Sequence, residues 1–77
     1  MTIRLHRRII ADPEILGGKP IVENTRLSVA HILGLLSNDM SVDEVVEAYP
    51  ILAREDVLNV IGYAANALEN DIYLEVS

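Results

Sequence analysis

Ile9-Ile10-Ala11-Asp12-Pro13-Glu14-Ile15-Leu16-Gly17-Gly18-Lys19-Pro20-Ile21-Val22-Glu23-Asn24-Thr25-Arg26-Leu27-Ser28-Val29 holds two prolines, a Gly-Gly pair and short apolar pairs in a stretch with no helical period. A strongly helical pattern begins where it ends, so the chain is built in two unlike parts. They differ in charge as well. Residues 1–26 hold five basic against three acidic groups, a balance of +2, whereas residues 27–77 hold Arg54 against nine acidic groups, a balance of −8. Such asymmetry marks an interaction arm attached to a folded body.

Upstream of this stretch, Ile3, Leu5 and Ile9 alternate with Arg4, His6, Arg8 and Ile10, and only Arg7 interrupts the period of two. This predicts a strand over residues 3–10. Asp12-Pro13 sets a turn, a single helical turn runs on to Leu16, and Gly17-Gly18 ends it because glycine takes positive φ without strain. Lys19, before Pro20, is biased to extended geometry. Ile21-Val22 and Leu27 offer short pairings, with Glu23-Asn24 a bend between them and Asn24 suited to a left-handed conformation.

Downstream, Ser28 is an N-cap and Val29, Ile32, Leu33 and Leu36 recur at helical spacing, which predicts a first helix over 29–37. Ser41-Val42-Asp43-Glu44 is a capping box that opens a second helix over 42–48, closed by Tyr49-Pro50. From Arg54, the residues Val57, Leu58, Ile61, Ala64, Ala65 and Leu68 trace one broad apolar face, and Glu55-Asp56 suit the first turn. The third helix is predicted over 54–70. Asp71-Ile72-Tyr73-Leu74-Glu75-Val76 alternates again and reads as a last strand or an ordered arm.

At 77 residues with no cysteine, the chain is expected to form a single domain over 1–77 with a thin core and no disulfide or thiolate metal site. With 51% hydrophobic residues, oligomerisation is the device left to stabilise it, and a homodimer paired through the amino-terminal strands is expected. No apolar run reaches the ~18 residues of a membrane span and no signal-peptide core follows Met1, so the expectation is a cytoplasmic protein without membrane contact. Three tyrosines and no Phe or Trp leave no stacking platform for single-stranded nucleic acid.

Catalytic chemistry has little to work with. His6 and His31 fall in different elements with no carboxylate at fixed spacing, and His31 reads as a boundary residue of the first helix. Gly17-Gly18-Lys19 resembles the end of a phosphate-cradling loop, but Pro20 stands in place of the magnesium-binding hydroxyl and Pro13 in place of the first glycine. The expectation is therefore a protein that is not an enzyme and has no catalytic residues, metal ligands or cofactors. Asp43, Glu44 and Glu47 read as a solvated helix face.

Three blocks carry a family resemblance: Asp12-Pro13-Glu14-Ile15-Leu16-Gly17-Gly18-Lys19-Pro20-Ile21, Thr25-Arg26-Leu27-Ser28-Val29 and Tyr49-Pro50-Ile51-Leu52. In this order the chain resembles domain-of-unknown-function family 433 over residues 7–66. Its motif positions here are Gly17, Gly18, Lys19, Pro20, Thr25 and Arg26. The resemblance implies a homeodomain-like or winged-helix-like helix-turn-helix, antitoxin-like character, and genetic pairing with small PIN-like nuclease toxins. Three departures from the pattern stand out. Asn24 replaces a glycine before Thr-Arg, Asn38-Asp39 replaces the glycine that closes the first helix, and Ala53 replaces a Thr or Ser at the N-cap of the third, at about 1 kcal/mol.

As a recognition helix the third helix would present Asn59 and Asn66, and asparagine can pair bidentately with adenine. The charge opposes this, since residues 41–70 carry a balance of −5 and duplex affinity rests on neutralising phosphates. The arm is the better nucleic-acid candidate, through Arg4, His6, Arg7, Arg8, Lys19 and Arg26. Ion pairing of Arg7, Lys19 and Arg26 to internal carboxylates is the competing role, and a purely structural turn is the competing role of Gly17-Gly18-Lys19-Pro20. Ile72, Leu74 and Val76 form one apolar face suited to a partner.

The sequence thus predicts a mainly α fold, a three-helix helix-turn-helix core with a short amino-terminal β arm. The function expected is that of the antitoxin-like half of a type II toxin–antitoxin pair, neutralising a PIN-like nuclease toxin, with operator DNA binding as an open second role. The alternative is a small dimeric protein-interaction module with no DNA-binding role.

Overall fold

The computed structural model describes residues 1–69 in full and the helical backbone as far as Val76. It contains three helices and a small three-stranded antiparallel sheet: β1 (Ile3–His6), β2 (Ile9–Ala11), a 3₁₀ turn (Leu16–Gly18), β3 (Ile21–Val22), α1 (Val29–Ser37), α2 (Val42–Ala48) and α3 (Arg54–Val76). The sheet order is β1-β2-β3.

The first correction concerns residues 3–10, which form a hairpin in place of one strand. His6 pairs with Ile9 across a turn made by Arg7 and Arg8, and the register shifts between Arg4 and His6. Arg8 sits at φ 67°, a conformation that costs a side-chain-bearing residue roughly 1–2 kcal/mol. The second correction concerns the arm. β2 pairs with β3 through Ile9 with Val22 and Ile10 with Ile21, and Ile9 and Val22 are fully buried members of the same apolar cluster as Val29, Ile32, Val45, Leu52, Val57 and Val60. The irregular stretch is part of the core. The hairpin packs against α3.

Local signals explain the helix ends. Ser28 Oγ accepts from the His31 N–H at 3.0 Å, capping α1. Asp39, at φ 73°, closes α1 with paired bonds, its own N–H to Leu36 O at 3.2 Å and the Met40 N–H to Leu35 O at 3.3 Å, a Schellman arrangement in which aspartate fills the usual glycine position. Ser41 and Glu44 form the expected capping box of α2, with bonds of 3.1 Å and 2.8 Å. Asn24 is left-handed as expected, at φ 66°. Leu16, Gly17 and Gly18 all have positive φ, so the turn anticipated after Pro13 is left-handed at its end.

α3 lacks a capping side chain at Ala53, and Asp56 supplies a substitute. One carboxylate oxygen, Oδ2, accepts from the Ala53 N–H at 2.9 Å. The other, Oδ1, accepts from Arg8 Nε at 2.8 Å. Asp56 is 4% exposed and is the buried charged residue of the described core. Arg8 also lies 3.7 Å from Glu23, which pairs with Arg4 at 2.8 Å. Burial pushes the Asp56 carboxyl up, but the bonds from Arg8 and Ala53 and the Arg8 charge together hold it below the usual range. The bond to Asp56 raises the Arg8 guanidinium further.

Removing Arg8 strands a carboxylate whose side chain is 6% exposed, whereas removing the charge of Asp56 leaves a guanidinium that is 35% exposed and can be hydrated. Arg8→Met is therefore expected to cost about 2–3 kcal/mol in urea unfolding and Asp56→Asn less; equal losses would contradict the asymmetry. The pH dependence has a definite sign. Because the folded carboxyl lies below its unfolded value of about 3.9, the stabilisation is complete above that value and is lost as pH falls through the depressed one. Acid titration by circular dichroism should show a shallower stability loss in Asp56→Asn than in the native chain.

Candidate functional site

The turn at Leu16–Gly18 and the segment entering α1 face one another. Gly18 N–H bonds to Ile15 O at 3.0 Å, Lys19 N–H to Leu16 O at 3.3 Å, and Val29 N–H to Pro20 O at 2.9 Å. Thr25 braces the second segment, because its Oγ1 donates to Val22 O at 2.8 Å and accepts from the Leu27 N–H at 3.0 Å. Lys19 is extended, at φ −65° and ψ 149°, as its place before proline dictates. These bonds leave a surface cavity of about 530 Å³ lined by Leu16, Lys19, Arg26, Leu27, Ser28 and His31. The His31 ring is positioned by Tyr49, the residue that closes α2, its Nε2 lying 2.9 Å from Tyr49 Oη and the two rings meeting edge to face.

The expected nucleic-acid residues do not form one stripe. Arg4 and Arg8 are in ion pairs with Glu23 and Asp56. His6 lies over α3, where a Cβ at Gly62 would come within 3.4 Å of its Nε2, and its ring centroid is 6.2 Å from that of Tyr63. Arg7 is exposed on the hairpin turn, Lys19 and Arg26 are exposed at the cavity, Asn59 is half-buried and Asn66 exposed. Among the described residues, Arg7, Lys19 and Arg26 form no ion pair, so the internal bridges considered for these three are not found. Arg54 pairs with Asp43. Hydrogen bonding to Ser41 holds the Glu44 carboxyl below its ordinary value, and the bond from Arg4 does the same for Glu23.

The apolar face of α3 divides in two. Val57 and Val60 are fully buried, whereas Leu58, Ile61 and Leu68 are 48%, 39% and 59% exposed. With Ala65, also exposed, they follow the 3,4,3 spacing of a helix-packing seam, a signal readable in the sequence once the core-facing residues are subtracted. Leu68 also borders an apolar groove of about 370 Å³ with Val29, Leu33, Ala64 and Ala67. Ile72, Leu74 and Val76 lie outside the residues whose side chains are described; the backbone is helical to Val76, where the pattern predicted a strand or arm. Among the described residues no His, Cys, Asp or Glu cluster is arranged for a metal ion, and no helix is long and apolar enough to cross a membrane.

The chain is similar to an uncharacterized protein, y4eO, of Sinorhizobium fredii, with 36% identity over 61 residues, which cover 78% of this chain and 28% of that relative. The chain thus spans less than a third of that protein's length. No solved structure matches it. The family described as protein of unknown function, DUF433, matches residues 9–64, a span that contains the left-handed turn, the Thr25 brace, both lining cations and the Asp56 cap. The chain belongs to the DUF433 family.

Proposed function

We propose that this chain is an interaction protein of antitoxin type that holds a PIN-like nuclease toxin on the uncovered side of α3. The observation that carries the reading is the exposed seam Leu58, Ile61, Ala65 and Leu68 beside the buried face. An apolar helix face wider than its own body covers is what a partner groove receives. Charge supports the choice of occupant. The seam runs along a region with a balance of −5, and a nuclease must present a basic surface to its phosphate substrate, which this region complements. In this reading α2, the Tyr49–Ala53 connection and α3 form a helix-turn-helix of homeodomain-like or winged-helix-like kind whose outer face serves a protein. Operator binding through the arm loses support, since Arg4 and Arg8 are taken up by internal carboxylates.

A homodimer belongs to the same reading. β1 is an edge of the sheet, with Ile3 and Leu5 exposed on it, and a second β1 would pair the edge and cover both side chains. Light scattering after size exclusion should give twice the 8.5 kDa chain mass at micromolar concentration, and a Leu5→Pro variant should run as a monomer. A monomeric native chain would remove the dimer.

Toxin binding is tested by growth. With the nuclease of the adjoining reading frame under an inducible promoter, the native chain should restore growth and the Leu58→Asp, Leu68→Asp double variant should fail while keeping its helical circular dichroism. A double variant that still restores growth, or an adjoining product without toxicity, overturns the reading.

A further inference from the structure

Of the six basic residues in the chain, Arg4, Arg8 and Arg54 are in ion pairs. Two of the remaining three, Lys19 from the Gly-Gly-Lys-Pro block and Arg26 from the Thr-Arg block, line the same cavity, and no carboxylate of the described residues lines it with them. Among the described residues neither is in an ion pair, and two cations gathered on one cavity set up a positive field that an anion from outside complements. Leu16 and Leu27 supply apolar wall, and His31 supplies a ring fixed by Tyr49. The volume, about 530 Å³, lies in the range of small-molecule sites, ~300–1,000 Å³.

We propose that this cavity binds the phosphate ester of a small organic molecule. The Arg26 fork and the Lys19 ammonium hold the phosphate oxygens, while Leu16 and Leu27 take up the organic part. The Thr25 brace and the left-handed turn hold both cation-bearing segments in place before the ligand arrives, which lowers the ordering cost of binding. Lys19 and Ser28 also line the apolar groove that Leu68 borders, whereas Arg26, Leu27 and His31 do not, so Arg26→Ala tests the anion site apart from the α3 seam.

Amide-resolved NMR titration of the full chain tests it, with inorganic phosphate, phenyl phosphate and a short DNA duplex as probes. Phosphate should shift the amides of Lys19 and of residues 26–31 to saturation. Phenyl phosphate should bind more tightly at the same residues, because the apolar wall is engaged. Lys19→Ala and Arg26→Ala should each weaken binding about tenfold, with unchanged spectral dispersion, and Arg7→Ala should leave it unaltered. Three results would overturn the proposal. Arg7→Ala weakening binding as much as Arg26→Ala would mean diffuse attraction to basic charge, equal affinity for the two phosphates would remove the ester, and tighter duplex binding at the same amides would make the cations part of a nucleic-acid surface.

Discussion

The carboxylate of Asp56 joins the two unlike parts of this chain. Its one oxygen closes the amino terminus of α3 through Ala53 and its other holds Arg8 in the hairpin turn. The side chain is buried, so removing Arg8 leaves a carboxylate without its charged partner in the core, at a cost of about 2–3 kcal/mol. Arg8 in turn occupies a left-handed turn position that favours glycine or asparagine. The ion pair explains why an arginine stands there in spite of the backbone cost. Once Arg8 is fixed, β2 is presented to β3 in one register, and Ile9 and Val22 complete the cluster that α1, α2 and α3 form.

The same pairing redistributes charge in a way that bears on function. The amino-terminal segment has a balance of +2 as a sequence, yet Glu23 and Asp56 neutralise Arg4 and Arg8, so no basic arm projects from the body. What remains is Arg7 on the hairpin turn and the Lys19–Arg26 pair at the cavity. Along α3, Val57 and Val60 lie on the core while Leu58, Ile61 and Leu68 are left uncovered. The proposals of a protein partner for the helix and a small anion for the cavity rest on these two surfaces.

Much of the helical body was legible because its signals are local. The Ser28 cap, the Ser41–Glu44 box and Pro50 act within a few residues, and α1 and α2 fall where they direct. Asn24 and Asp39 took the left-handed conformation for the same local reason. The hairpin was hidden because Arg7-Arg8 carries none of the Asn-Gly or Asp-Gly chemistry that marks a tight turn, and its stabilising partner is 48 residues away. The split of the α3 face and the meeting of Lys19 with Arg26 depend on packing between distant segments, which periodicity along one element does not encode. Ala53 suggested a weak start to α3; Asp56, three residues on in the first turn, makes it a well-bonded one.

Native-state hydrogen exchange tests most directly whether the irregular segment is core and not an arm. The amides of Val22 and Glu23, bonded to Leu27 O and Arg8 O, should exchange with the same opening free energy as those of Val57 and Val60 in α3, because one cooperative unit contains them all. If Val22 and Glu23 exchange through a lower-energy opening while Val57 and Val60 stay protected, the sheet is a separable arm and the account of Asp56 as the joint of the fold is wrong.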